Sequence, residues 1–247
     1  MEKNISAART LFLKTIIFGS TGAVGRELLK YLLSSKKYIK ITIIVRRKLD
    51  EWESFSESEK SMLNIIEIDS LDFLIYNFNY IEQLIPDINS YNSIFITLGS
   101  RVKKGKEEFK KVEYGYILQI YKICELYKIP HFSFCSSNKA NKSSFFMLWQ
   151  IKGETEEELK NKNSIPLISI FHPGLLLDRN NDERLGEGLV KFIPFCDKIS
   201  TDKVGKAMFI RDIEFQENFK VETPEKNTCE IVNNEQMILL SEKILIL

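Results

Sequence analysis

The chain has 247 residues, of which 35 are basic and 34 acidic, so its formal charge at neutral pH is +1. Hydrophobic residues make up 44% and charged residues 28%, a composition typical of globular proteins that excludes an intrinsically disordered chain. Because nucleic-acid-binding proteins need a basic face, the near-neutral balance argues against a nucleic-acid partner. A local basic site for a single phosphate is still compatible with it.

The cysteines and apolar runs indicate a reducing compartment and no membrane span. Four cysteines form no CxxC pair and there are two histidines, so neither a disulfide framework nor a structural metal site is expected. No apolar run approaches the roughly 20 residues of a membrane helix. Lys14 interrupts the apolar residues 11–18, and no cleavage site follows, so we expect a buried strand and no signal peptide. These features predict a cytoplasmic protein.

Short apolar runs alternate with helical patterns through the first 175 residues. The predicted strands are residues 15–18, 41–45, 63–68, 94–98, 131–135 and 167–171. The predicted helices are residues 23–33, 107–127 and 145–159, followed by 201–213 and 235–245. This alternation predicts right-handed βαβ units and an α/β fold, a Rossmann-like doubly wound parallel sheet with helices on both faces.

Polar residues and glycines follow the ends of the predicted strands, at Gly19, Arg46, Asp69, Gly99, Ser136 and His172. Ligands of open parallel sheets bind beyond the carboxyl ends of the strands, so these positions are predicted to line one edge. The weaker pattern after residue 175 predicts a short C-terminal extension that covers this edge, with Thr201 as the N-cap of its first helix. The acidic stretch at 50–60 is predicted to be a solvated loop.

The most informative segment is Gly19-Ser20-Thr21-Gly22-Ala23-Val24-Gly25, which follows a predicted strand and opens a predicted helix. In this GxxGxxG spacing the first glycine permits a tight turn and the second lets the backbone approach a pyrophosphate. The third lets the helix pack closely on the sheet. Free N–H groups at the helix N-terminus favour phosphate there. The pattern predicts a dinucleotide site, with a plain strand–helix turn as the alternative.

The ends of the next strands indicate which dinucleotide binds. Arg46 and Arg47 stand where NAD-binding proteins of this fold carry an acidic residue for the ribose 2′-hydroxyl, and two arginines instead suit a 2′-phosphate. We therefore predict NADP(H), with a solvated basic strand end as the alternative. Asp69 could reach an adenine amino group or serve a turn. Leu98 and Gly99 would allow close passage of the cofactor or form a simple turn.

Several further blocks share an order with a known family: residues 42–49, 98–100, 136–137, 142–144, 150–154 and 173–177. Together with the glycines they resemble the Tat-interacting tumour-suppressor oxidoreductase family of atypical short-chain dehydrogenase/reductases. The resemblance implies one NAD(P)-binding Rossmann-like domain over residues 1–247, with a cofactor-binding core at 14–175 and a substrate- or partner-side extension at 176–247. The cofactor contacts that it implies are Thr21, Gly22, Ala23, Val24, Arg46, Arg47, Leu98, Gly99 and Lys152.

One position departs from the superfamily pattern. Its enzymes use a Tyr-x-x-x-Lys pair, in which the lysine holds the nicotinamide ribose and the tyrosine transfers a proton to the substrate oxygen, which a strand-end serine orients. By this resemblance the lysine is Lys152 and the serine is Ser136 or Ser137, but the tyrosine position is Leu148. Leucine has no proton to donate. General acid catalysis contributes about 10²–10⁴-fold, so weak or altered activity is predicted.

Two other residues are candidates for the missing proton donor. His172 is one candidate, because a histidine can transfer protons near neutral pH; a cap or loop role is the alternative. Tyr116 is a weaker candidate, since core packing explains it equally well.

The sequence therefore predicts an NADP(H)-binding oxidoreductase of an unidentified small carbonyl substrate. The resemblance also implies an alternative, a cofactor-sensing regulatory protein without turnover that has a protein partner and a nuclear as well as a cytoplasmic location. A scaffold without ligand is the third hypothesis. The apolar C-terminus is predicted to dock as a helix, with a dimer or partner contact as the alternative. A solvated face is predicted for the lysine run Lys103, Lys104, Lys106, Lys110 and Lys111.

Overall fold

The computed structural model describes residues 11–72, 79–101, 105–178, 197–219 and 227–244. Its strands β1 to β9 are Leu13–Phe18, Tyr38–Val45, Leu63–Glu67, Ser93–Ile96, His131–Cys135, Leu167–Phe171, Leu175–Leu177, Lys198–Ser200 and Thr228–Val232. Its helices α1 to α7 are Ala23–Ser34, Glu57–Met62, Asn79–Leu84, a composite helix at 106–127, Met147–Lys160, Thr201–Asn218 and Asn234–Glu242.

Seven of the described strands form one parallel sheet in the order β3-β2-β1-β4-β5-β6-β9. The first six have the strand order of a Rossmann-type doubly wound fold. β9 extends the sheet beside β6, and β7 pairs separately with β8. The fold class predicted from the sequence is therefore confirmed. β5 and β6 have the predicted bounds, and β1 to β4 differ from them by a few residues at their ends.

Successive side chains of a strand point to opposite sides of the sheet, and an apolar cluster lies on each side. In β1, Ile17 belongs to an apolar cluster with residues of α1, α6 and α7. Ile16 and Phe18 belong to a second cluster with residues of α3 and α4 on the other side. Helices therefore cover the two faces, and the carboxyl ends of the strands form an open edge.

The segment at residues 50–60 is mostly exposed, as predicted, but the prediction that it forms a loop is wrong. The segment contains a 3₁₀-helix, Asp50–Ser54, and the first part of α2. Ser56 caps α2 by accepting from the backbone N–H of Glu59, whose side chain accepts from Ser56 in return. This reciprocal capping box stabilises a helix start in a polar sequence. Trp52 is also buried in the core, only 4% exposed.

The long helix predicted at 107–127 is present but irregular. It consists of α-helical Lys106–Lys110, π-helical Lys111–Tyr116 and α-helical Ile117–Tyr127. Leu126, predicted on its apolar face, is 56% exposed. Residues spaced three apart shift gradually around an α-helix, and the separation of nine positions between Ile117 and Leu126 corresponds to about two and a half turns. The sequence pattern therefore places Leu126 opposite the buried stripe.

The described part of the C-terminal extension contributes β8, β9, most of β7 and the helices α6 and α7 to the fold. α6 and α7 pack with α1 on one sheet face. Gly205 lets α6 approach closely, since a Cβ there would lie 2.7 Å from the backbone N of Leu28. The N-cap of α6 is Ser200, not Thr201 as predicted, because its hydroxyl accepts from Lys203 N at 3.2 Å. The last part of the apolar C-terminus, residues 245–247, lies outside the described residues.

Over the residues that the structure describes, no helix has the length and apolar character needed to cross a lipid bilayer.

Candidate functional site

Three adjoining clefts lie along the carboxyl edge of the sheet. The arginine cleft, of 500 Å³, is lined by Thr21, Arg46, Arg47 and Asp69. The glycine cleft, of 120 Å³, includes Gly19, Thr21, Gly22, Arg46, Leu98 and Gly99. The lysine cleft, of 340 Å³, includes Gly22, Ala23, Val24, Leu98, Gly99, Ser136, Ser137, Leu148, Trp149 and Lys152. Because neighbouring clefts share lining residues, they lie side by side along the edge, and the three together are called the groove.

The glycine turn between β1 and α1 has the geometry that its spacing predicts. Gly19 has φ of +97°, a conformation that favours glycine. A Cβ on Gly19 would lie 2.6 Å from the carbonyl carbon of Thr97, and a Cβ on Gly25 would lie 2.2 Å from the Gly19 oxygen. Thr97 Oγ1 also donates to the Gly19 oxygen at 3.0 Å. The glycines therefore let the turn pack directly on the end of β4.

The N-terminus of α1 is free to accept an anion. Its N-cap is Gly22, which offers no side-chain acceptor, and the first turn contains no acidic residue. Gly22 N donates to the Gly19 oxygen at 3.0 Å, and Arg26 N donates to the Gly22 oxygen at 2.9 Å. The hydroxyl of Ser20 is buried and has no hydrogen-bond partner among the described residues. Unpaired donors and the helix dipole favour a negatively charged group at this point.

The arginine cleft brings two cations next to the glycine turn. Arg46 and Arg47 follow β2, and both are exposed. They line the same cleft as Thr21, which belongs to the turn between β1 and α1. Asp69, which follows β3, lines it as well and leaves one net positive charge. The structure thus places Arg46 and Arg47, on which the choice of dinucleotide was based, in one cleft with Thr21 and Asp69.

Lys152 is held by a buried acid that the sequence analysis missed. Its Nζ donates to Glu113 Oε2 at 2.7 Å, and the backbone N–H of Ser100 donates to the other oxygen at 2.9 Å. Glu113 is only 2% exposed and lies in the π-helical part of α4. Thr155 Oγ1 donates to the backbone oxygen of Glu113 at 2.8 Å. Such π-segments occur often at functional sites.

A second buried acid, Glu156, lies one helical turn beyond Lys152. Ser136 Oγ donates to Glu156 Oε1 at 2.5 Å, and His172 Nε2 lies 2.8 Å from the same oxygen. Lys160 Nζ donates to Oε2 at 3.3 Å. The sequence predicted Ser136 and His172 at one edge, and the structure joins them through a carboxylate. The i, i+4 spacing of residues 148, 152, 156 and 160 along one helix face could have indicated Glu156.

Tyr116 is bonded to a partner outside the lysine cleft. Its hydroxyl donates to Asp72 Oδ1 at 2.8 Å, and burial raises the pKa of Tyr116 above its ordinary value of 10.0. The residues lining the lysine cleft do not include it. Tyr116 is therefore a packing residue with a local partner, in keeping with the alternative reading of the sequence.

The remaining sequence candidates lie apart from the groove or outside the described residues. Two lysines of the predicted solvated face are paired, Lys110 with Glu154 at 3.6 Å and Lys111 with Asp72 at 2.5 Å. Lys103, Lys104 and the cysteine Cys196 lie outside the described residues. A larger cleft of 640 Å³ lies at the amino ends of the strands and includes Lys14, Lys40 and Asn64. Both of its lysines pair with Asp87. In the described part of the chain, no group of three metal-ligating side chains converges.

The strand order and the glycine-rich first turn define the class as Rossmann-fold proteins. Pen from Bacillus thuringiensis superposes with a TM-score of 0.65 at 14% identity, covering 85% of this chain and 68% of that one. The UDP-glucose 4-epimerase from Bifidobacterium longum, solved with NAD+ and UDP, also gives a TM-score of 0.65. It is 12% identical, with 89% of this chain and 77% of that one covered. These similarities concern the fold.

Relatives in sequence identify the family. Protein HTATIP2 of Rattus norvegicus is 33% identical over 179 residues, which cover 71% of this chain and 67% of that protein. The mitochondrial protein FMP52 of Lodderomyces elongisporus is 32% identical over 185 residues, or 73% of this chain and 75% of that protein. No family model matches the chain. The chain belongs to the family of HTATIP2 and FMP52, which confirms the resemblance seen in its motifs.

Proposed function

We propose that the chain binds NADP(H) along the groove and acts as an oxidoreductase on a small carbonyl compound. The observation that carries the proposal is the position of Thr21. This residue of the glycine turn lines one cleft with Arg46 and Arg47, so a single ligand can reach the turn and both guanidinium groups. Arginine pairs well with phosphate, and NADP(H) differs from NAD(H) by a ribose phosphate.

The glycine turn fits the pyrophosphate of such a ligand. α1 starts without a side-chain cap or a nearby acid, so its first N–H groups are available. Gly19 and Gly25 leave no room for a Cβ, and Gly22 starts the helix. The unpartnered buried hydroxyl of Ser20 is a further hydrogen-bonding group in the turn. An anion there would satisfy donors that the described residues leave unpaired.

The lysine cleft fits the reacting end of the ligand. The bound dinucleotide would supply or accept a hydride. Lys152 would hold its ribose, and Ser136 or Ser137 would orient the substrate oxygen, as the family resemblance implies. Asp69 would lie at the adenine end. Leu148, one turn before Lys152, gives the cleft an apolar wall where the superfamily has its proton donor, so catalysis is altered.

Calorimetric titration with NADPH and NADH tests the cofactor proposal. The wild-type protein should bind NADPH more tightly than NADH. The Arg46→Ala/Arg47→Ala variant should lose this preference, with NADPH affinity falling about 10- to 100-fold, which corresponds to roughly 1.5–3 kcal/mol for the two exposed arginines together. Lys48→Ala is the matched control, because Lys48 is an exposed neighbour outside the cleft lining. An unchanged preference in the double variant would refute the role of the arginines.

Leu148 also favours a second candidate function, a cofactor-sensing protein without turnover. A protein of this kind would bind NADPH with the same selectivity but oxidise it with no carbonyl compound. We also propose mitochondria as a location to test beside the cytoplasm, because relatives named FMP52 are mitochondrial. Fractionation of cells that express the tagged chain would separate the two locations.

A further inference from the structure

We propose that Ser136, Glu156 and His172 form a proton relay that replaces the donor missing at Leu148. The proposal rests on the proposed reductase function. Along one face of α5, residues 148, 152, 156 and 160 follow one another at intervals of about one turn. The first of these is an apolar wall of the cleft and the second is paired with Glu113. The third, Glu156, is the buried acid that connects Ser136 to His172.

The relay has one end in the cleft and the other near solvent. Ser136 lines the lysine cleft, and its hydroxyl is bound to Glu156. Glu156 is 2% exposed, whereas the side chain of His172 is 16% exposed. The backbone N–H of His172 donates to the Val232 oxygen at 2.9 Å, which fixes the residue at the end of β6. A proton can therefore pass from the surface to the cleft through two short hydrogen bonds.

Hydrogen-bond chemistry sets the direction of the chain. An ionised carboxylate only accepts, so the contact between Glu156 and His172 requires a proton on His172 Nε2. The hydroxyl of Ser136 donates to the same carboxylate oxygen in the resting arrangement. Glu156 thus stands between a proton source and a hydroxyl that can turn toward a substrate.

In the proposed step, one proton moves from His172 to the substrate oxygen through Glu156 and Ser136. The two electrons that reduce the carbonyl carbon arrive as a hydride from the reduced dinucleotide of the proposed function. The substrate oxygen takes the proton of Ser136 Oγ, and Ser136 takes a proton from Glu156. Glu156 takes the Nε2 proton of His172 in its imidazolium form. One proton thus leaves His172, one O–H bond forms on the substrate, and water reprotonates His172.

Other charged groups surround the relay. On α5, Lys160 donates to Glu156 from the solvent side, with its side chain 46% exposed. On β9, burial raises the pKa of Cys229 to about 11; the charge of Lys160 opposes this shift, and the charges of Glu156 and Glu230 add to it. Glu230 itself is paired with Arg211 at 2.7 Å. The carboxylate that contacts His172 directly is therefore Glu156.

Turnover of phenanthrenequinone, an uncharged aromatic carbonyl probe, tests the relay with NADPH as the reductant. His172→Gln keeps an N–H donor but cannot release a proton, so kcat should fall about 10²-fold or more. Imidazole in the buffer should restore part of this rate, because His172 is partly exposed. Glu156→Gln should lose a similar factor and gain nothing from imidazole. Lys160→Gln, which removes a partner of Glu156 outside the relay, is the matched control.

A spectroscopic measurement tests the pairing without turnover. The chain has two histidines, so the low-field imidazole N–H proton signal of His172 is assigned by its loss in His172→Gln. This signal should be present in the nucleotide-free protein and should shift in Glu156→Gln. An N–H signal at the same chemical shift in the wild type and in Glu156→Gln would contradict the contact on which the relay depends.

The outcomes separate the relay from the proposed function. No binding of NADPH would refute the proposed function. NADPH binding without reduction of the probe, a His172→Gln variant with wild-type kcat, or a variant that imidazole cannot restore would each overturn the relay and leave cofactor binding intact. Unchanged NADPH affinity in all variants, with the expected loss of kcat and the imidazole rescue, would support it.

Discussion

At the scale of single residues, the chemistry of the groove depends on three positions along α5. Leu148 removes the proton donor of the superfamily pattern, while Lys152 remains and is paired with Glu113 at 2.7 Å. Glu156 adds a buried carboxylate one turn later. The lysine of the superfamily pair is therefore retained, but the tyrosine hydroxyl that would donate a proton beside it is absent. This arrangement predicts that restoring one hydroxyl changes the rate strongly and the binding little.

Leu148→Tyr recreates the Tyr-x-x-x-Lys pair with Lys152. The variant should reduce phenanthrenequinone faster than the wild type, but by less than the full contribution of general acid catalysis, about 10²–10⁴-fold, because the proposed relay already supplies a proton. NADPH affinity should stay close to that of the wild type. Leu148→Phe is the matched control, since it adds the ring without the hydroxyl. Equal rates for the tyrosine and phenylalanine variants would show that Leu148 is not the cause of weak activity.

The acids of the site show what sequence patterns leave out. Lys152, Ser136 and the glycines were predicted because their spacing is local or matches a family motif. Glu113 and Glu156 were missed, since an acid on a helix is ordinarily solvated. Their burial depends on partners from α5 and from the ends of β5 and β6, which no local pattern encodes.

At the scale of elements, the predictable parts are those whose burial is uniform. β1, β2, β4, β5 and β6 are buried over most of their length and therefore appear as apolar runs. β9 was not predicted, because its side chains are exposed or only half-buried until Val232. The capping box of α2 was overlooked in an acidic stretch. The π-segment of α4 depends on tertiary contacts of Glu113 and Tyr116, so helical periodicity alone could not reveal it.

α6 is tied to the amino ends of the strands by a buried carboxylate. Asp212 is fully buried and accepts from the Tyr38 hydroxyl at 2.5 Å and from Ser93 Oγ at 3.0 Å. His131 Nδ1 lies 2.6 Å away. Burial, followed by the charge of Asp212, raises the pKa of Tyr38 well above its ordinary value. This network connects α6 to the first residues of β2, β4 and β5.

Asp212→Ala should destabilise the fold without changing the groove. Removing one member of a buried charged network costs about 3–5 kcal/mol, so urea unfolding should show a loss of that order. Asp202→Ala is the matched control on the same helix, because Asp202 is exposed and contacts Tyr31 at the surface. NADPH affinity measured below the unfolding transition should be unchanged. A loss as large in Asp202→Ala would contradict the special role of the network.

At the scale of the whole molecule, the two ends of the sheet have different electrostatic roles. The carboxyl edge carries Arg46 and Arg47, which face a cleft. At the amino end, Asp87 is bound by Lys40 at 2.8 Å and by Lys14 at 3.0 Å. The hydrogen bond from Lys40, followed in effect by that from Lys14, lowers the pKa of Asp87 from 3.8 to about 2.

Asp87 gives the fold an acid-dependent contribution to stability. Because its pKa is lower in the folded than in the unfolded state, this contribution is present above pH 3.8 and is lost as the pH falls toward about 2. Its side chain is 37% exposed, so solvent screens the effect. Asp87→Asn should therefore flatten the dependence of unfolding free energy on pH in this range, measured by urea titration. An identical pH dependence in both proteins would contradict the assignment.

Hydrogen exchange with and without NADPH tests the location of the ligand most directly. NADPH should protect the peptides that contain the glycine turn, Arg46 and Arg47, and Leu98 and Gly99, because these line one groove. Peptides with Lys14, Lys40 and Asn64, which line the larger cleft at the amino ends, should exchange unchanged. Protection confined to that larger cleft, or none at the glycine turn at saturating NADPH, would contradict the account.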